Sequence, residues 1–167
     1  MESIASIPQI VTRHLEEVKR GIAANMEAMH RNASGRSVAS LQVEAGKNGK
    51  GEASAYLTGG QQWLFMERGR GPGKVPYNFT QIIREWILNK GISFSGVPGK
   101  TQERKLTNLS WMIANSIMKK GTTLHRNSGY NDIFDTLIAK EMEKLADEAA
   151  GIIDTEFTKI DSEYEND

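Results

Sequence analysis

The chain has 167 residues, 38% apolar and 25% charged, a length that suits one ordinary domain and leaves no room for a second full one. No run approaches the ~20 apolar residues of a membrane span, and the absence of cysteine excludes disulfide scaffolds, thiol catalysis, CxxC redox chemistry and cysteine-based zinc sites. The formal net charge of zero hides a split: residues 1–130 hold 18 Lys/Arg against 9 Asp/Glu, whereas residues 131–167 hold 3 against 12.

The N-terminal MESIASIPQIVTRHLEE has acids in place of the basic region of a secretory signal and is broken by Pro8, so residence in the cytoplasm is the expectation. From Ile7 to about His30, Ile7, Ile10, Val11, Leu15, Val18, Ile22, Met26 and Met29 recur at three- and four-residue steps and predict an amphipathic helix, with Ser6 as cap and Pro8 in the first turn. The turn residues Asn32, Ser34 and Gly35 close it. Two β-favouring runs flank GKNGKG and predict a hairpin of about 38–45 and 52–58, with the basic tip residues Lys47 and Lys50 as candidate contacts. QWLFME, residues 62–67, reads equally as a strand or a helical turn.

RGRGPGKVP, residues 68–76, carries three glycines and two prolines and is read as a loop. Phe79, Ile82, Ile83, Trp86 and Ile87 have helical spacing, and the helix closes at Lys90-Gly91. After a second loop, residues 92–100, a third helix runs from about Thr101 through Leu106, Leu109, Ile113 and Ile117 to Lys119-Lys120-Gly121. A polar connector, 122–130, leads to a long helix capped by Asn131 or Asp132, with Ile133, Phe134, Leu137, Ile138, Met142, Leu145, Ala149, Ile152 and Ile153 on its inner side. The fold class is therefore α+β: a long N-terminal helix, a hairpin as a small antiparallel sheet, then three helices including a long acidic C-terminal one. Residues 1–160 form one domain, and 161–167 an acidic tail.

GRGPGK, Gly69 to Lys74, invites a phosphate-loop reading and fails it. Only three residues separate Gly69 from Gly73-Lys74, where the motif has four, and Val75 replaces the Ser or Thr that binds the metal. The loop offers Arg68, Arg70, Gly71 and Lys74 either as a tight turn held by its prolines or as a contact surface for carboxylates or DNA phosphate. His14, His30 and His125 lack metal-ligand spacing, Ser116 and Lys119 lack the companion motifs of an acyl-transfer site, and Glu16-Glu17 and Glu141/Glu143 read as solvated helix faces. No catalytic constellation, cofactor site or metal site emerges. Trp86 reads as core, while Trp63 and Trp111 are candidate interface aromatics.

Taken in order, SGRSVASLQVE, the hairpin, LFMERGRGPGKVP, IIREWILNKGI and WMIANSIMKKGT resemble the tail-completion or head-to-tail connector (neck) proteins of tailed bacteriophages. Phe65, Glu67, Gly69, Arg70, Pro72, Gly73, Lys74 and Pro76 carry the loop part of the resemblance, and Trp86, Gly91, Ile117, Gly121 and Thr122 the rest, over roughly residues 30–140. The long acidic C-terminal helix has no counterpart in it. The resemblance implies a non-enzymatic virion subunit of a homo-oligomeric ring at the head-tail junction, twelve copies favoured and six the alternative. Such a ring contacts the portal or adjacent neck and tail proteins, surrounds the DNA channel with non-specific DNA contact, and has no membrane association. The competing expectation is a small nucleic-acid-binding regulator with an acidic autoinhibitory tail, reading bases through Gln81, Arg84 and Asn89 or Asn108, Asn115 and Lys119.

Overall fold

In the structure, a computed structural model, residues 7–47, 49–50, 53–93 and 101–164 are described. The predicted cap Ser6, most of the second loop and the last three residues lie outside them. The elements run α1 Ile7–Ala28, α2 Arg36–Ala39, β1 Gln42–Lys47, β2 Ala53–Thr58, α3 Gln62–Arg68, α4 Phe79–Asn89, α5 Gln102–Lys120, α6 Thr123–Arg126 and α7 Asp135–Tyr164. The α+β class stands: a long helix, an antiparallel hairpin, then helices ending in the longest one. No helix among the described residues is long and apolar enough to cross a membrane.

Two compact units interleave in sequence, one holding Met1–Asn25, Ser40–Gly59 and Ile133–Asp167, the other Met26–Ala39 and Gly60–Asp132. In the first unit, α1 buries Ile10, His14, Val18 and Ile22, a strict four-residue stripe. Its Gly21 leaves room for Leu137 of α7: a Cβ there would lie 2.5 Å from a Leu137 methyl. Asn25 Nδ2 donates to the Ile133 carbonyl at 2.9 Å, fastening the start of the C-terminal segment, and Ile133 is fully buried. The hairpin pairs Gln42 with Thr58 through Lys47 with Ala53, and five of the six β1 residues are exposed, so only its base, with Leu41 and Val43, contributes burial.

Three expectations change. The strand predicted from residue 38 begins at Gln42, because Asn32 Oδ1 accepts the Gly35 amide at 2.8 Å and the turn runs on into α2. The cap expected at Asn131 or Asp132 is displaced, and α7 begins at Asp135 and runs to Tyr164, taking the start of the predicted tail into the helix. Finally, Ile138, Met142 and Ile153 are not on the inner side. They are 36%, 37% and 49% exposed, whereas the buried face of α7 passes through Leu137, Glu141, Leu145, Glu148 and Ile152. Two neighbouring faces of this helix are apolar, and periodicity selects both.

The second unit is built on α4 against α5, with Ile83, Ile87, Leu106 and Ala114 at the centre and Phe79, Leu109, Ile113 and Ile117 around them. Small residues on the α5 stripe, Ser110 and Ala114, allow close approach of the helices, and Ser110 satisfies its buried hydroxyl on the Leu106 carbonyl at 2.7 Å. Thr101 caps α5 by accepting the Arg104 amide, and Gly121 terminates it with φ +75°. The ambiguous QWLFME is α3, burying Trp63 and Glu67 one turn apart. Asn131 explains its own absence from the α7 cap. Its amide donates to the Glu67 carbonyl at 3.0 Å and its side chain to that of Met66, closing the open end of α3.

Candidate functional site

The glycine-rich loop is not a floppy linker; it is sewn to the corner between α5 and α6. The Thr122 amide donates to the Arg70 carbonyl at 2.8 Å, the Arg70 amide donates to Thr122 Oγ1 at 2.9 Å, and the Gly73 amide donates to the Met118 carbonyl at 2.9 Å. This clasp requires glycine at two places. Gly69 has φ +74° and a Cβ there would stand 2.5 Å from the His125 amide nitrogen; Gly121 has φ +75° and its Cβ would meet the Arg70 carbonyl oxygen at 2.7 Å. Both clashes are with backbone, which cannot rotate away. The segments LFMERGRGPGKVP and KKGT, far apart in sequence, therefore form one structural feature.

Within the clasp the cations divide. The Arg70 guanidinium lies over two rings, 5.1 Å from the Phe65 centroid and 5.5 Å from that of Phe79, and donates to the Lys74 carbonyl. It holds the loop's own shape. Arg68 and Lys74 are exposed, as are Lys47 and Lys50 at the hairpin tip. Gly71 lies against the His125 ring, with a Cβ 3.3 Å from it, so its part is packing as well as approach.

The structure corrects two of the three tryptophan assignments. Trp63, expected at an interface, is buried at 7% exposure on the inner face of α3. Trp86, expected in the core, is 40% exposed, because the buried stripe of α4 is Ile83 and Ile87 and Trp86 falls beside it. Trp111 is 60% exposed on α5, next to Met112 at 62%, and it remains an aromatic surface residue. Trp86 also lines an open groove of about 580 Å³ within the second unit, together with Ile82, Ile117, Leu124, Arg31 and Arg126.

Sequence reading missed a buried polar cluster in the first unit. His14 is 7% exposed, with Nδ1 3.1 Å from Glu141 Oε2 and Nε2 3.0 Å from Glu148 Oε2. Both ring nitrogens can donate only when the imidazole carries both protons. Glu141, expected on a solvated face, is buried at 6% on the α7 face packed against α1, where it faces His14 and also accepts from Lys144. Hydrogen bonds from Lys144 and then His14 hold its carboxyl below the ordinary value of 4.5, while burial pulls the other way. Arg13 and then His14 do the same for Glu148. The signal was in the sequence: His14 continues the four-residue stripe Ile10, Val18, Ile22, and Glu141 and Glu148 are seven residues apart on one α7 face.

Gln81, Arg84 and Asn89, the base-reading candidates on α4, are partly committed. Arg84 is paired with both Glu103 oxygens at 2.7 Å and Gln81 reaches Glu85 at 3.4 Å. The site as a whole is thus an ordered, glycine-dependent loop framed by exposed cations, an exposed aromatic patch and an apolar groove. No protein-family model, curated protein or solved structure matches the chain.

Proposed function

We propose that the chain is a structural subunit of a head-to-tail connector ring in a tailed bacteriophage, joining the portal to the tail and surrounding the DNA channel, with no catalytic activity. The observation that supports this most is the clasp: two residues carrying the family resemblance on the loop side, Gly69 and Arg70, are packed against or bonded to those on the helix side, Gly121 and Thr122. A resemblance spread over distant segments gains weight when those segments meet. The charge split supports it too, because subunits in a closed ring meet through two different surfaces, and a basic body against an acidic C-terminal segment supplies such a pair.

In this reading Arg68 and Lys74 make the outward contacts of the loop and Arg70 shapes it. Twelve copies fit a layer against the portal, six a layer against the tail. The double reversal Arg68→Glu/Lys74→Glu, which spares the Arg70 staple, tests the contact role. The variant is expected to lose no more than about 1 kcal/mol of unfolding free energy, since both side chains are exposed and Arg68 gives up only a surface place in the last turn of α3. Its incorporation into particles, measured by complementing a phage that lacks the protein, is expected to fall about tenfold or more, because like charges then face each other across the contact. Normal incorporation removes the loop from the assembly surface.

A further inference from the structure

The C-terminal helix has a second apolar face, exposed among the described residues. Ile138, Met142, Ile153 and Phe157 are 36%, 37%, 49% and 63% exposed, and their spacing keeps them on one side of a helix. This face is set among acids: from Ala146 to Tyr164 the helix carries six Asp/Glu and one lysine, Lys159, which is paired with Glu156. Two such helices side by side would bring acid against acid. A basic, apolar partner suits the face better.

The second unit offers that character. Its residues 26–39 and 60–132 hold thirteen Lys/Arg and five Asp/Glu. The groove of about 580 Å³ exposes Ile82 and Trp86 at 39% and 40% between walls from Ile117 and Leu124, with Arg31 and Arg126 at its margin. A further open space sharing Arg31, Trp86 and Leu124 continues it toward Phe65. An amphipathic helix laying an Ile and a Phe one turn apart into such a trough is an established recognition mode.

We infer that the Ile153–Phe157 end of α7 docks in this groove of a second copy of the chain, with Asp154 and Glu156 drawn toward the arginine-edged margin. The contact is head-to-tail, so it closes into a ring or propagates, and in this it rests on the ring-subunit reading. The acidic helix, which the family resemblance does not cover, becomes the element that sets the neighbour's position.

The chain has no cysteine of its own, which makes directional cross-linking clean. Ile82→Cys and Phe157→Cys are made in separate chains, both at exposed positions, and treated with a short bis-maleimide alone and mixed, at a concentration where the unmodified chain is oligomeric. The mixture is expected to give cross-linked dimer about tenfold above either variant alone, because docking raises the local concentration of the two thiols, and raised salt should weaken the yield. A mixture no better than its components overturns the inference. So does Phe157→Cys linking efficiently to itself, which would mean helix-to-helix pairing, or a linkage that forms only within one chain carrying both cysteines. A chain that stays monomeric at every concentration overturns it as well. Electron microscopy of the same samples separates the two claims: rings without the mixed cross-link remove the docking and leave the ring reading intact, while the cross-link in open filaments does the reverse.

Discussion

Gly121→Ala is expected to lower the unfolding free energy by about 3 kcal/mol, and Gly69→Ala by a similar amount. At each position φ near +75° with ψ near 180° is a backbone region essentially reserved for glycine, a strain of about 1–3 kcal/mol for a residue with a Cβ. The new methyl would also lie 2.7 Å from the Arg70 carbonyl oxygen or 2.5 Å from the His125 amide nitrogen, so the loop and the α5–α6 corner must part. Gly91→Ala is the control. Gly91 also has positive φ, +61°, but nothing lies within 4 Å of its Cβ, so only the strain of about 1–2 kcal/mol is expected there. Urea unfolding of the three variants checks this. Equal losses at all three positions would mean that the clasp contributes nothing beyond backbone strain.

His14→Ala is expected to cost about 2–4 kcal/mol at neutral pH, because it leaves the buried Glu141 carboxylate facing a void in place of the ring. The same cluster gives the first unit an acid-sensitive attachment between α1 and α7. Glu141 and Glu148 both have carboxyls held below 4.5 in the folded chain by donors from Lys144, Arg13 and His14. A depressed folded-state value contributes stability that is fully present above the unfolded value and disappears as pH falls through the folded one. The urea midpoint should therefore be flat well above pH 4.5, begin to fall as pH approaches that value and drop further below it. Glu141→Gln/Glu148→Gln should start lower at neutral pH and lose most of that acid slope. Retention of the wild-type slope in the double variant would assign it to other carboxylates.

The features legible in the sequence were those with one strong local cause. The third helix, α5, was read to within a residue because Thr101 caps it and Gly121 ends it, both acting within a few positions of themselves. The hairpin was visible from its glycine-rich turn. The inner face of α7 was not, since Leu137 and Ile138, or Ile152 and Ile153, are adjacent apolar residues on diverging faces, and the choice between them is made by α1 through Gly21 and His14. Burial of Glu141 follows from that same choice. Trp86 and Trp63 exchanged roles for a related reason: a two-residue buried stripe such as Ile83 and Ile87 leaves little room for a large neighbour, whereas a short helix such as α3 buries its one tryptophan. Loop residues 68–76 looked like a candidate contact and like a tight turn at once. The turn reading holds for Arg70, whose guanidinium fastens the loop, while Arg68 and Lys74 are exposed, as the proposed contact role requires.

A ring subunit of a virion, as proposed here for this chain, is carried in purified particles in a fixed amount. Quantitative mass spectrometry of virions should find the protein at a fixed ratio to the portal subunit, near one to one for a twelve-copy layer or one to two for a six-copy layer. Absence from particles, with the protein abundant in infected cells, would contradict the connector reading and favour a nucleic-acid-binding regulator.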